Sequence, residues 1–151
     1  MRLIYFCWLV AGLLFVSGVT AQDYVGLTEK AVQLRLKKET RDRSHVLGAV
    51  KTYIGSRSRT VDLQLNCDST GLCYAEQYLC KDESSALQWQ SKILAKKEYG
   101  WQKLNENQHV SSMDRQLLLE SYRSEQFWIV QVLRTNWSPL QYQLLFSNEI
   151  K

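Results

Sequence analysis

The chain has little of several things. Its 151 residues hold one proline, seven glycines and two histidines. The glycines form no GxGxxG or GxxxxGK[ST] array, which excludes a phosphate-cradling loop of those types. No HExxH motif occurs, and two histidines cannot furnish a histidine-rich metal centre. A GxSxG nucleophile elbow is absent. The shortage of glycine and proline argues against a fibrous or low-complexity chain, and 45% hydrophobic residues argue against disorder. Four cysteines are too few for a disulfide-dense mini-scaffold. Nothing in the sequence calls for a cofactor.

What is present begins with an export signal. Arg2 precedes an apolar run from Leu3 to Val16, and Ser17-Gly18-Val19-Thr20-Ala21 follows. Val19 and Ala21 occupy the −3 and −1 positions of a cleavage site before Gln22. This is the layout of a secretory signal peptide. We therefore read residues 1–21 as a leader and 22–151 as one exported α+β domain. Asn136-Trp137-Ser138 resembles a glycosylation site, but Pro139 makes it a poor acceptor, which favours a bacterial periplasm.

Removal of the leader removes Cys7 and leaves Cys67, Cys73 and Cys80. Val61, Leu63 and Leu65 alternate with Asp62, Gln64 and Asn66, which predicts a strand ending near Cys67. Asp68-Ser69-Thr70-Gly71 reads as a turn, with a second strand from Leu72 to about Leu79. Cys67 and Cys73 then face each other, and a Cys67–Cys73 disulfide is expected. Cys80, carried far down the second strand, is left as a free thiol or an intermolecular bridge. The cysteine spacings match no common zinc pair.

The net charge of +4 is unevenly spread. Residues 22–60 hold nine basic and four acidic residues, while 61–151 hold nine basic and eleven acidic ones. The basic segment reads as two helices. Leu27, Ala31 and Leu34 share a face of the first, which runs to about Asp42. The second starts at Ser44, carries Val46, Leu47, Val50, Tyr53 and Ile54 at helical spacing, and stops at Gly55. A strand over Val50–Ile54 is the alternative. Asp82-Glu83-Ser84-Ser85 opens a further helix that Gly100 ends. Four strands follow, over Trp101–Asn105, about Arg115–Ser121, Gln126–Arg134 and Leu140–Phe146. No internal repeat is visible. The expected fold is α+β: N-terminal helices, a β-hairpin, then a helix packed on an antiparallel β-meander. The last part is similar in outline to the helix-on-curved-sheet architecture of cystatin-like and NTF2-like folds.

Candidate binding residues follow from charge and aromaticity. Lys37, Lys38, Arg41 and Arg43 suit an acidic protein partner or an anionic membrane surface. Arg57 and Arg59, interleaved with Ser56 and Ser58, suit a carboxylate or phosphate. Trp101 and Trp137 are candidate contact anchors. Nucleic acid is a poor partner, because no aromatic–basic RNA motif is present. The reading is a non-catalytic binding protein acting by protein–protein contact, as an envelope or secretion-machine component or as an inhibitor or immunity protein. One alternative is a hydrolase built on the dispersed carboxylates Glu76, Asp82, Glu98, Glu106 and Glu120. Another is a module enclosing a lipid or small ligand.

Overall fold

A computed structural model describes residues 24–39, 42–47 and 50–147. The expected leader at residues 1–21 lies outside the described residues, as does Arg41. Helix α1 (Glu29–Glu39) is followed by strands β1 (Asp42–Leu47), β2 (Val50–Ser56), β3 (Val61–Cys67) and β4 (Cys73–Cys80). Helix α2 (Glu83–Leu94) and a 3-10 turn (Lys97–Tyr99) lead to β5 (Trp101–Asn105), β6 (Gln108–Ser111), β7 (Leu117–Arg123) and β8 (Trp128–Arg134). Helix α3 spans Pro139–Leu144. The strands form one antiparallel sheet of order β1-β2-β3-β4-β8-β7-β6-β5. The fold is thus α+β, as expected.

The order hides a duplication that the sequence does not display. A helix and a four-stranded meander occur twice, and the two meanders join at their last strands, β4 and β8. The helices start at Glu29 and Glu83, 54 positions apart, and the central pair Gln77↔Gln131 is separated by the same 54. A pseudo-two-fold axis therefore passes through that pair.

Three expectations are corrected. The second helix expected from Ser44 is not found among the described residues: Asp42–Leu47 is β1, and β2, the strand given as the alternative, runs between β1 and β3 in continuous register. Tyr53 and Thr52 are both buried on opposite faces, a period of two that helical spacing had masked. Strand pairing on both sides overrides a helical pattern that is local and short. Residues 140–146 are not a strand either. Ser138 accepts the Gln141 backbone N–H at 3.2 Å, the Gln141 side chain accepts the Ser138 N–H at 2.8 Å, and Pro139 takes the first helical position. That capping box starts a helix. Finally, the expected disulfide is absent. Cys67 and Cys73 are cross-strand partners, but both are free thiols, as is Cys80. The Cys73 thiol donates to the Ala75 carbonyl at 3.5 Å.

One face of the sheet carries the main core. Leu63, Leu65, Tyr78, Leu119, Val130 and Val132 lie under Val32 and Leu36 of α1 and Ala86 and Ile93 of α2. Asp82 caps α2 by accepting the Ser85 N–H at 2.7 Å. Gly100 closes the 3-10 turn at φ +54°, and a Cβ there would stand 2.4 Å from Ser112 Oγ.

On the other face α3 covers Val110, Leu118 and Leu133. Beside it runs a ladder of polar side chains. Thr52 Oγ1 donates to Asn66 Oδ1 at 2.9 Å, and Gln64 Nε2 donates to Gln77 Oε1 at 3.0 Å. Asn66 Nδ2 also reaches Gln77 Oε1, at 3.4 Å. Gln77 Nε2 donates to Gln131 Oε1 at 2.6 Å, and Gln131 donates to Glu120. Gln108 Nε2 reaches the other Glu120 oxygen at 3.1 Å. The ladder crosses six strands and straddles the pseudo-two-fold axis.

Gln131 is only 5% exposed and holds both halves of this ladder. Gln131→Leu strands the Gln77 donor and removes a donor from Glu120. We expect a loss of roughly 1–3 kcal/mol in chemical denaturation, against about zero for a control at exposed Gln126.

Candidate functional site

Helix α1 is fixed at its start by a short strap. Tyr24 is fully buried, and its N–H donates to the buried Glu76 Oε2 at 2.9 Å. Gly26 N–H donates to the Cys73 carbonyl at 2.7 Å, Cys73 N–H to the Leu27 carbonyl at 2.9 Å, and Glu29 N–H to the Gly71 carbonyl at 2.7 Å. Glu29 then pairs with Lys51 Nζ at 2.6 Å and accepts the Tyr53 hydroxyl. Lys51 and Tyr53 together hold the Glu29 carboxyl below its ordinary range. With Val32 and Leu36 at zero exposure beneath the helix, its roll is set.

The opposite face holds Lys30, Leu34, Lys37 and Lys38, at i, i+4, i+7 and i+8. All four are exposed, Leu34 at 56%. Leu34 was expected on the core face with Leu27 and Ala31, but the Val32–Leu36 pair took that place. Among the described residues the face holds three cations around one exposed leucine and no carboxylate. The signal was available: Lys30, Lys37 and Lys38 mark a single helical stripe that must face water. Lys37 and Lys38 also sit at the negative end of the helix, where a cation is favoured in any case.

The other expected binding residues scatter. Arg57 lies over the Tyr24 ring at 5.9 Å, and its Nη2 donates to the Tyr24 hydroxyl at 3.4 Å. Arg59 is exposed in the β2–β3 turn, where its carbonyl accepts Lys81 Nζ at 3.2 Å. Of Arg43 only the backbone, on β1, is described. Trp101 is half-buried and donates Nε1–H to the Ile93 carbonyl at 3.0 Å. Trp137 packs with Val110, Leu118 and Tyr142 under α3. Arg57, Trp101 and Trp137 thus serve the fold, and Lys37, Lys38 and Arg59 remain solvent-facing.

The dispersed carboxylates are also engaged separately. Glu76 accepts from Tyr24 and Tyr78, Asp82 caps α2, Glu106 pairs with Lys103 at 2.7 Å, and Glu120 ends the amide ladder. Glu98 is exposed in the 3-10 turn. Cys80 is fully buried opposite Val61, and burial pushes its thiol up to about 11. Such a thiol is protonated and inert near neutral pH. Among the described residues no group of three or more His, Cys, Asp or Glu can hold a metal ion, and no helix is long and apolar enough to cross a membrane. Comparison with protein-family models, curated proteins and solved structures gave no match.

The Tyr53–Glu29 contact has a pH signature. Burial, and then the bond to Glu29, push the Tyr53 phenol up to about 12. The unfolded phenol ionises near 10. The folded chain therefore keeps a proton that the unfolded chain loses, so stability falls as pH rises from about 10 to about 12. Denaturation midpoints measured across that range should fall less steeply in Tyr53→Phe.

Proposed function

We propose that this is an exported, non-catalytic binding protein that works by protein–protein contact in a bacterial periplasm. The carrying observation is the outer face of α1, where Lys30, Lys37 and Lys38 surround exposed Leu34 without a carboxylate among them. A partner with an acidic rim and an apolar pocket is complementary to it. Charge raises the encounter rate, and desolvation of Leu34 slows dissociation. The leader-like residues 1–21 support export. The role is that of an envelope or secretion-machine component, or of an inhibitor or immunity protein whose target is acidic at the contact.

The test is charge reversal on the helix face. Lys37→Glu with Lys38→Glu, at exposed positions in the last turn, should lower the melting temperature by only a few degrees. It should slow association with the partner captured from envelope extracts by roughly tenfold at low salt. Leu34→Asp should instead speed dissociation. Capture that ignores both changes and ionic strength overturns the reading. Export is checked apart from this, since the N-terminus of the exported chain should be Gln22, free or cyclised to pyroglutamate. A chain retaining Met1 in the exported fraction would reject cleavage.

A further inference from the structure

We propose that Cys67 and Cys73 form a two-coordinate bis-thiolate site for a soft monovalent cation of the Cu(I) class. The argument starts from register. Leu65 opposes Glu76 and Asn66 opposes Ala75, so an unbroken ladder would set Tyr74 against Cys67. The register shifts between Asn66 and Cys67, Tyr74 is passed over, and Cys73 opposes Cys67 instead. A bulge of this kind re-aims a side chain.

The second half of the fold shows what happens without it. Its matching hairpin, β7–β8, keeps regular register to the end, where Arg123 opposes Trp128 and lies over its ring at 5.4 Å. At the equivalent place the first half has exchanged an aromatic partner for a thiol. The bulge sets the two cysteines opposite each other across the strands.

The chemistry of the pair selects the ligand. Directly opposed strand residues carry Cβ atoms about 5 Å apart, and Cys67 and Cys73 belong to the same buried cluster. Two metal–thiolate bonds of about 2.3 Å in line need the sulfurs about 4.6 Å apart, which side-chain rotation supplies. The described residues offer no third ligand of the His, Cys, Asp or Glu type. Tetrahedral zinc and oxygen-seeking cations are therefore poorly served, whereas thiolates select soft Cu(I). Both thiols are shielded from bulk water, Cys67 at 0% and Cys73 at 1% exposure. Entry is provided by a cavity of about 610 Å³ that Cys73 lines together with Gly26, Asp68, Leu72 and Arg134. Each ion bound displaces two thiol protons and forms two sulfur–metal bonds, with no change of oxidation state.

The test is an anaerobic titration of the reduced mature chain with Cu(I) against a chromogenic Cu(I) chelator. One ion per chain is expected, with about two protons released near neutral pH. Cys67→Ser and Cys73→Ser should each weaken retention at least tenfold, and Cys80→Ser should not. To guard against misfolding of the variants, wild-type protein is alkylated under denaturant-free conditions with and without Cu(I). The ion should protect Cys67 and Cys73 by mass mapping. Failure to compete with the chelator overturns the proposal. So does retention that survives loss of either cysteine, or isolation of the chain with Cys67 already bonded to Cys73.

Discussion

Glu120 can only accept hydrogen bonds, and much of the sheet follows from that. Because its carboxylate cannot donate, Gln131 must turn its amide nitrogen toward it. The Gln131 oxygen is then free for Gln77, the Gln77 oxygen for Gln64 and Asn66, and the Asn66 oxygen for Thr52. One acceptor thus orients amides on four strands, and each bond polarises the next. The ladder crosses the β4–β8 seam, where the two halves of the fold meet. A row of leucines there would bury more apolar area but specify register less firmly. An amide chain aligns in one register only, because a shift of one residue moves each amide to the opposite face.

The same dependence explains what sequence reasoning reached and what it missed. Strand β3 shows its alternation in Val61, Leu63 and Leu65, and α2 shows its cap in Asp82, so both are legible locally. Strand β8 looks apolar on both parities, and its central placement between β4 and β7 agrees with that. Gln131 interrupts the apolar run at its midpoint, and that interruption was the available sign of a buried polar network. Its partners are out of local reach, since Gln77 is 54 positions away. Strand β2 was legible only as the alternative to a helix, for a related reason. Its Tyr53 and Thr52 acquire opposite faces only after β3 supplies Leu65 and Asn66 as neighbours. The second strand of the β5–β6 hairpin, four residues long, is too short for any periodic signal.

The candidate contact face depends on the strap more than on the helix itself. Alone, α1 presents two apolar arcs, Leu27–Ala31–Leu34 and Val32–Leu36, and nothing local chooses between them. The choice comes from Glu29, tied to Lys51 and Tyr53 on β2. It also comes from Tyr24, sealed in by Glu76 below and Arg57 above. Those contacts span strands distant in sequence, which is why Leu34 was misplaced and why Arg57 looked like a binding residue. An arginine that closes over a buried tyrosine is positioned by the fold it completes.

The repeated topology gives these features a common logic. Two copies of one αββββ topology share a polar seam at their axis, where their residues correspond: Gln64 with Glu120, Gln77 with Gln131. Away from the axis the copies diverge. The first half carries the basic helix face, the strap and the opposed thiols, and the second carries α3 and the Arg123–Trp128 stack. A seam that must stay matched constrains both halves, whereas the outer face of α1 and the hairpin ends carry no residue of the ladder. Divergence is therefore cheapest at those peripheral places. The candidate contact face and the thiol pair both lie there, outside the part of the sheet that the ladder holds fixed.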